Sequence, residues 1–392
     1  MNNKGIKISM QILLIGEFSR LHNSLKEGLQ KLGHEVVLVG NGDLFKNFPT
    51  DVDLSVKTCN KPVLLFFRKA IHKLTGFDIA DFEVAYKFHK ALKHLQGFDV
   101  VQLINEDALY IHPRLQIPLL EKLFKQNKNL FLLSCGDDFV NINYFLKEQE
   151  PYSILTPYLN NIKLKKQFRY CLKYVTPAYR KLHGFIYKNS CGTIASDMDY
   201  HIPLKGNPKY LGLIPNPINT DIIEFTPCQI TDKIRIFHGV NTLSQIKKGS
   251  HFFTKALDII KETYPDRVEI HTTYNLPYKE YIEVYNQAHI LLDQVYSYDQ
   301  GYNALEAMAK GKVVFTGAEQ AWLDHYNLEK DTVAINALPE VSKIVEKLEW
   351  LIENPKCIEE ISKNARAFIE KEHHYLKIAN SYLKIWGTHI KN

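Results

Sequence analysis

Short apolar runs alternate with longer amphipathic segments along the first half of the chain. Residues 11–15 form an apolar run that ends at Gly16, and leucines at helical spacing follow as far as Gly33. Residues 35–39 form the next run, which ends at Gly40. A strand, a glycine turn, a helix and a strand within roughly 30 residues form a right-handed, parallel βαβ unit. The pattern predicts a doubly wound α/β sheet, with further strands at 100–103, 130–133 and 193–195 and helices at about 81–95 and 114–127.

The same pattern restarts after a segment that carries two prolines. Residues 211–217 end a strand with Pro215 and Pro217, and such stiffening suits a hinge between domains. After residue 232 we predict a turn at His238-Gly239 and a second set of elements of the same kind. This set has strands at 234–237, 268–270, 290–292, 313–315 and 333–335, and helices at about 278–288, 340–353, 356–371 and 373–386.

Two sheets of the same type in tandem define the predicted domain organisation. We predict a Rossmann-like domain over residues 1–213 and a second Rossmann-like domain over 214–375. A C-terminal helix over 376–392 is expected to cross back to the first domain. Ligands of open α/β sheets bind at the carboxyl ends of the strands, so two such domains facing each other predict one central cleft.

Residues 144–190 interrupt this alternation with a mixture of aromatic and basic side chains. Such residues at helical spacing can lie on an anionic membrane or face a lipid-linked acceptor. They can equally form a solvated basic surface over an aromatic core. The residues concerned are Tyr144, Phe145, Tyr152, Tyr158, Lys163, Lys165, Lys166, Phe168, Arg169, Tyr170, Lys173, Tyr174, Arg180 and Lys181.

The segment from Tyr298 to Lys312 lies between two predicted buried strands and carries the first candidate site. Gly301 falls at the strand-to-helix turn, where the missing Cβ lets a ligand approach the backbone. Glu306 falls about one turn into the helix, where its carboxylate can bind a ligand's hydroxyl groups. Alternatively, Glu306 is only a first-turn partner of the helix dipole.

A second candidate contact is the run Lys247-Lys248-Gly249, directly before a predicted helix. The free N–H groups of a helix N-terminus and an adjacent lysine can bind a phosphate, although such lysines are often simply solvated. Together with Glu306, this run could hold both ends of a nucleotide diphosphate. Lys248 would then bind the phosphates, and Glu306 would bind the ribose hydroxyls.

Composition sets the remaining limits. The 392 residues, 45% hydrophobic and 23% charged, suffice for two ordinary globular domains. The net charge of +6 permits an anionic ligand or membrane surface but does not indicate nucleic-acid binding. Six scattered cysteines without a C-x-x-C pair indicate reduced thiols. Because we also see no leader pattern and no apolar run of about 20 residues, we expect a cytoplasmic protein.

Several of these motifs resemble those of the GT-B glycosyltransferases, in particular the retaining glycosyltransferase family 4. The second half has the hinge run Ile214 to Asn219, the pair Lys248-Gly249, and the run Glu-Ala-Met-Ala-Lys-Gly from Glu306 to Gly311. The first half has Gly16 after its first strand and the run Leu-Gly-His-Glu-Val at residues 32–36. The resemblance covers nearly all of the chain except 41–80 and 144–190.

The resemblance implies roles for individual residues. Glu306 would bind the donor ribose, and Lys248 would neutralise the donor diphosphate as it leaves. Gly16 would approach the diphosphate through its backbone, and Gly301 would leave room for the donor sugar. Gly239 and Gly249 complete the expected donor contacts. The implied activity is a retaining, metal-independent sugar transfer from a nucleotide-diphosphate sugar to a glycan or lipid-linked acceptor, in surface polysaccharide or glycolipid assembly.

The sequence departs from the family pattern at three positions. The family's first glutamate falls at Tyr298, an arginine is missing near Val240 and Asn241, and a histidine is replaced around Asn105-Glu106. The candidate substitutes on the donor side are Asp299, which would then be catalytic, and Asn303. Those on the acceptor side are His22, Asn105, Glu106 and Asp137.

Each substitute has a structural alternative. Asp299 could be an exposed loop carboxylate, His22 a surface histidine, and Asp137-Asp138 an ordinary helix cap or turn. The departures also leave two other functions open on the same scaffold, a catalytically silent sugar-nucleotide or glycan-binding protein and a nucleotide-sugar epimerase.

Overall fold

A computed structural model describes residues 9–43, 48–276 and 278–390 and contains two parallel β-sheets in tandem. The first sheet has the order β3-β2-β1-β4-β5-β6-β7, and the second has the order β12-β11-β10-β8-β9. The first seven strands are β1 (Gln11–Ile15), β2 (Glu35–Gly40), β3 (Val52–Asp53), β4 (Val100–Leu103), β5 (Asn129–Ser134), β6 (Gly192–Ala195) and β7 (Tyr210–Leu213). The other five are β8 (Ile234–Val240), β9 (Val268–Tyr274), β10 (Ile290–Leu292), β11 (Val313–Thr316) and β12 (Ile335–Asn336).

Helices connect the strands of both sheets. Those of the first half are α1 (Leu21–Lys31), α2 (Pro62–Thr75), α3 (Ala80–Ala91), α4 (Pro113–Lys125), α5 (Phe139–Phe145), α6 (Thr156–Asn160), α7 (Arg169–Leu172), α8 (Pro177–Asn189) and α9 (Met198–Leu204). Those of the second half are α10 (Gln245–Lys248), α11 (Ser250–Thr263), α12 (Tyr278–Gln287), α13 (Tyr302–Ala309), α14 (Gln320–Tyr326), α15 (Val341–Glu353), α16 (Pro355–Phe368) and α17 (Tyr375–His389). The predicted α/β class and the two parallel sheets are confirmed.

Apolar layers cover both faces of the first sheet, as expected for buried parallel strands. On one face, Leu13 and Ile15 of β1 pack with residues of α3, α4 and α8. On the other face, Ile12 and Leu14 pack with α1 and with Trp386 of α17. The last helix of the chain therefore lies in the layer of helices that covers the first sheet.

The aromatic residues of segment 144–190 lie mostly inside the protein. Phe145, Phe168 and Tyr174 are buried in a cluster that also contains Leu291 and Tyr298 of the second half. The aromatic-core interpretation of this segment is therefore confirmed for these rings. The lysines at 163, 165 and 166 are exposed above them, and their contact with a membrane stays a prediction.

Other predictions require correction. His238-Gly239 is not a turn, because β8 continues to Val240 and pairs with β9 as far as Tyr274. The hydrophobic pattern also failed to predict β3 and α2. None of the residues of α2 is buried. In the part of the chain that the structure describes, no helix is both long and apolar enough to cross a bilayer.

Gly28 marks the contact between α1 and α17. A Cβ at this position would lie 2.7 Å from the carbonyl oxygen of Tyr375 and 2.9 Å from Cβ of Ala379. We expect Gly28→Ala to lower the free energy of unfolding by about 1–3 kcal/mol, because overpacking outweighs the better helix propensity of alanine. Denaturant unfolding measures this change.

Gly184→Ala in α8 is the matched control. No atom lies within 4 Å of a Cβ added there, so we expect unchanged or slightly increased stability. Equal stability changes in the two variants would contradict the packing argument.

Candidate active site

The end of α10 forms the centre of the candidate site. Gly249 has a φ of 69° and joins α10 to α11 in the left-handed conformation, and a Cβ there would lie 2.9 Å from Cβ of Val295. This close approach holds the α10–α11 turn against the segment that follows β10. Nζ of Lys248 consequently lies 2.8 Å from Oδ1 of Asp293. Lys248 is therefore an ion-paired side chain, and the solvated alternative for this lysine is wrong.

Two buried polar atoms beside this ion pair lack a hydrogen-bond partner among the described residues. They are Oδ2 of Asp293 and Nδ1 of His238, on side chains that are 6% and 1% exposed as whole residues. Burial, together with the charge of Lys248, lowers the pKa of His238 to about 4, so the ring is neutral at neutral pH. Orphaned buried groups are rare in proteins and mark a place where a ligand can supply the missing bonds.

Helix α13 provides the next part of the site. Its N-cap is Gly301, where a Cβ would make only ordinary contacts of 3.7–3.9 Å with Gln294 and Asp293, so packing does not require glycine there. In the first turn, Nδ2 of Asn303 donates to Oδ1 of Asp293 across 3.2 Å. The structure thus brings Lys248, Asp293 and Asn303 together at the carboxyl ends of β8 and β10.

Glu306 is the fifth residue of α13 and is partly exposed. It therefore lies beyond the first turn, and the interpretation as a first-turn dipole partner is wrong. Its charge acts on Tyr302 and on Lys310, which lie one turn away on either side. The Tyr302 hydroxyl in turn lies 2.8 Å from Oγ of Ser24 in α1, so this helix contacts the first half of the chain.

The predicted donor contact Tyr298 lies in the core. Its side chain stacks on the Tyr152 ring at 5.4 Å, and its hydroxyl donates to the Tyr152 carbonyl. The residue is 5% exposed, so its phenol does not stand on the cleft surface as the family's glutamate is expected to. The reason is a favourable ring pairing between residues that are far apart in sequence.

Asp299 is buried as well, so the exposed-loop alternative is wrong. One carboxylate oxygen accepts from the backbone N–H of Gln300 at 2.6 Å, and the other accepts from that of Met198 at 3.0 Å. Asp199, also on α9, accepts from Oγ of Ser297 at 2.7 Å and from the Tyr298 N–H at 3.2 Å. These bonds tie α9 of the first half to residues 297–299 of the second half.

The carboxylates at this contact hold their protons unusually strongly. Burial, together with the neighbouring charge of Asp199, raises the pKa of Asp299 to about 7. Burial raises the pKa of Asp199 to about 6, while its bonds to Ser297 and Tyr298 oppose that change. Asp197 lies beside both, and burial raises its pKa as well. Contact between the two halves is therefore most stable when this acidic cluster is protonated.

The loop after β1 is shaped by packing. Gly16 has a φ of 89°, and a Cβ there would clash with Ile104. His22 is the second residue of α1 and is fully buried, with Nδ1 2.8 Å from the Gly16 carbonyl oxygen. His22 therefore lies in the helix and not in the loop after Gly16, and the surface alternative is wrong. Burial lowers the pKa of His22 to about 3, so its ring is neutral.

The other acceptor-side candidates have specific partners. Nδ2 of Asn105 donates to the Cys135 and Asp137 carbonyls at 2.9 Å. Glu106 is buried and pairs with His183 of α8. The helix-cap alternative is confirmed for Asp138, whose side chain accepts from the Asn141 N–H at 2.8 Å.

Asp137 instead connects the two halves of the chain. Its carboxylate lies 2.9 Å from Nζ of Lys247, which also lies 5.4 Å from the centre of the Tyr170 ring. Burial alone would lower the pKa of Lys247, but the Asp137 charge outweighs it and raises that pKa. Lys247 is therefore fully charged in its pair.

Sequence reasoning missed several groups at the site. Asp293 directly follows the apolar run 290–292, and that position at the carboxyl end of a strand was the available signal. Asp199 and His183 carried no comparable signal, because their partners lie 77–99 residues away.

The second half of the chain matches a known protein family. Residues 240–384 match the model of a family described as glycosyl transferase-like. The matched range contains Lys248, Gly249, Asp293 and Glu306. No curated protein sequence matches the chain at a significant level.

Solved structures share the fold over nearly the whole chain. HepE from Anabaena in complex with UDP and glucose has a TM-score of 0.58 at 11% identity, covering 97% of this chain and 100% of that one. Sucrose-phosphate synthase from Thermosynechococcus elongatus has a TM-score of 0.59 at 14% identity, with 97% and 98% covered. UDP-GlcNAc 2-epimerase from Neisseria meningitidis bound to UDP-GlcNAc has a TM-score of 0.53 at 13% identity, with 97% and 100% covered.

The chain shares the two-sheet GT-B fold of these structures. Residues 240–384 match the glycosyl transferase-like family over the part of the chain that carries the second sheet and the candidate site.

The buried acidic cluster predicts a pH dependence that Asp299→Asn should reduce. Because the folded pKa of Asp299 is raised, the folded protein binds more protons than the unfolded chain between about pH 4 and 7, and stability falls as the pH rises. The Asp299→Asn variant has no carboxyl group at this position, so this fall in stability does not occur in it. Its stability relative to the native protein should therefore rise, by on the order of 1–3 kcal/mol, between about pH 5 and pH 8.

Thermal unfolding of both proteins at the two pH values measures this difference. Asp258→Asn, on the exposed side of α11, is the matched control and should show no such change. A stability difference between Asp299→Asn and the native protein that does not vary with pH would contradict the assigned protonation.

Proposed function

We propose that the protein transfers a sugar from a nucleotide-diphosphate sugar to a glycan or lipid-linked acceptor. The observation that carries this proposal is the group of Lys248, Asp293 and His238 at the carboxyl ends of two parallel strands, with two orphaned polar atoms. A cation on a glycine turn before a helix matches the charge of a diphosphate. The structural relatives that were solved with bound UDP or UDP-GlcNAc favour a UDP-sugar as the donor.

In this proposal the donor lies along the second sheet. Lys248 and the turn at Gly249 bind the diphosphate. Glu306 binds the ribose hydroxyls, and Asn303 and the backbone at Gly301 contact the donor sugar. Gly239, near the end of β8, and Gly16, in the loop after β1, complete the backbone contacts.

The proposed chemistry is retaining and needs no bound metal. Lys248 and the helix N-terminus stabilise the charge that develops on the departing diphosphate. The acceptor attacks from the face that the leaving group occupied, and the leaving phosphate takes its proton. Positioning is then the main contribution of the protein. The acceptor binds on the first sheet, near Asn105 and Asp137.

We place this reaction in the cytoplasm, in the assembly of a surface polysaccharide or glycolipid. The proposal rests on the resemblance to glycosyltransferase family 4 and on the lack of a spanning helix in the described residues. It includes peripheral contact with the inner face of the membrane.

Two other functions have specific observations in their favour. Tyr298 lies in the core where the family has a donor-binding glutamate, which favours a binding protein without turnover. The structural similarity to UDP-GlcNAc 2-epimerases favours donor conversion without any acceptor.

Variants of the two donor residues test the proposal. We expect Lys248→Ala and Glu306→Gln each to lower kcat/KM for UDP release from a UDP-sugar by roughly 10- to 150-fold. Such losses correspond to about 1.5–3 kcal/mol, the value of a hydrogen bond to a charged group. Coupled UDP detection, with and without a mixture of glycan and lipid acceptors, gives the rates.

Lys255→Ala and Glu262→Gln on α11 are matched controls, because both side chains are exposed, and they should retain native rates. Native rates in both site variants would contradict the assignment of this site. Donor conversion without an acceptor would instead identify an epimerase, and donor binding without turnover would identify a silent binding protein.

A further inference from the structure

Helix α2 lies on the surface with none of its residues buried. Four of its large apolar residues follow one helical stripe with the spacing i, i+3, i+4 and i+11. Their exposed fractions are 71% for Val63, 71% for Phe66, 55% for Phe67 and 84% for Leu74. Single exposed apolar residues are ordinary, but a full stripe on one helix marks an interaction surface.

The next helix along the chain, α3, carries two more exposed aromatic rings. Phe82 and Tyr86 are 56% and 62% exposed, whereas Val84 and Phe88 on the opposite side of α3 are buried. The helices are joined by residues 76–79, and Arg68 forms two hydrogen bonds of 2.7 Å with the Asp78 carboxylate. These bonds hold the segment that leads from α2 into α3 against α2. We call Val63, Phe66, Phe67, Leu74, Phe82 and Tyr86 the apolar patch.

The charges around the apolar patch are almost all positive. All three carboxylates between residues 60 and 94 are engaged by the protein itself. Asp78 pairs with Arg68, Asp81 accepts from the His112 N–H, and Glu83 accepts from three backbone N–H groups of residues 57–59. Of the six lysines in the same segment, Lys87 pairs with Glu83, and the other five are exposed to solvent, namely Lys61, Lys69, Lys73, Lys90 and Lys93.

An apolar stripe flanked by lysines fits an anionic lipid surface. A second copy of the chain fits poorly, because its own lysines would face the first set. At about 21 Å, helix α2 is too short to span a bilayer, but it can lie in the plane of the interface. We propose that α2 and α3 dock the protein on an anionic membrane, with the aromatic rings in the acyl boundary and the lysines at the headgroups.

This assignment moves the membrane contact from segment 144–190 to residues 61–94. Phe145, Phe168 and Tyr174 of the former segment are in the core, whereas the rings of the apolar patch face solvent. Docking uses only surface residues of the first half of the chain. It is therefore independent of the proposed sugar transfer.

Vesicle flotation of the full chain tests the proposal without any substrate. We expect binding to vesicles of phosphatidylcholine with phosphatidylglycerol and little binding to phosphatidylcholine alone. Phe66→Ser with Phe67→Ser should weaken binding at least roughly tenfold, because buried apolar area supplies much of the affinity. Lys69→Gln with Lys73→Gln should weaken it roughly 30-fold at low salt.

The matched control is Ile162→Ser with Leu243→Ser. These residues are 72% and 87% exposed, and the first lies in segment 144–190, so binding should stay native. Phe66→Trp gives an independent readout, a blue shift of its fluorescence with anionic vesicles only. Because the altered residues are exposed, circular dichroism should show native folding of every variant.

Several outcomes would overturn the proposal. They are failure of the native protein to bind either vesicle, native binding by the double serine variant of α2, and loss of binding in the Ile162 and Leu243 control. A change from dimer to monomer in the double serine variant, without vesicle binding, would assign the apolar patch to a second copy instead.

Discussion

Two adjacent lysines at the end of α10 form ion pairs with carboxylates in different halves of the protein. The candidate site depends on this arrangement. Lys247 pairs with Asp137 beyond the first sheet, while Lys248 pairs with Asp293 beyond the second. Neighbouring residues on a helix point about 100° apart, so one short helix can serve both sides. Gly249, held against Val295, keeps that helix in place. If a diphosphate binds Lys248, it therefore arrives beside an interdomain contact, and donor binding and domain contact are linked.

The contact between the two halves also contains buried carboxyl groups that weaken it when they ionise. The acidic cluster of Asp197, Asp199 and Asp299 is buried where α9 meets residues 297–299, and burial raises the pKa of each carboxyl group. Ionisation at higher pH makes this part of the contact repulsive, while the Lys247–Asp137 pair remains attractive. A shared apolar cluster, with Phe168 and Tyr174 beside Leu291, adds a contribution that does not depend on pH. The contact between the two halves therefore combines an apolar part that does not depend on pH with an acidic part that weakens as the pH rises.

Sequence periodicity predicted the parts of the fold whose signal is local. Strands β4 and β10 are continuous apolar runs and were predicted with their observed bounds, and Lys248 and Glu306 were found because they follow recognisable turns. The rest depends on distant partners. Tyr298 lies in the core because Tyr152 stacks on it, and β8 extends through Gly239 because β9 pairs with it. Helix α2 was missed although its apolar residues have helical spacing, and periodicity alone could not have shown that this apolar face lies in solvent and not in the core.

The central claim is that Lys248 binds the diphosphate of a nucleotide sugar, and ligand-induced stabilisation tests it most directly. A panel of nucleotide sugars should contain at least one that stabilises the native protein. At about 100 times its Kd, such a ligand adds roughly 2.7 kcal/mol to the free energy of unfolding. Most of that stabilisation should be lost in Lys248→Ala at the same ligand concentration. No stabilisation by any nucleotide sugar, or equal stabilisation of the variant, would contradict the account.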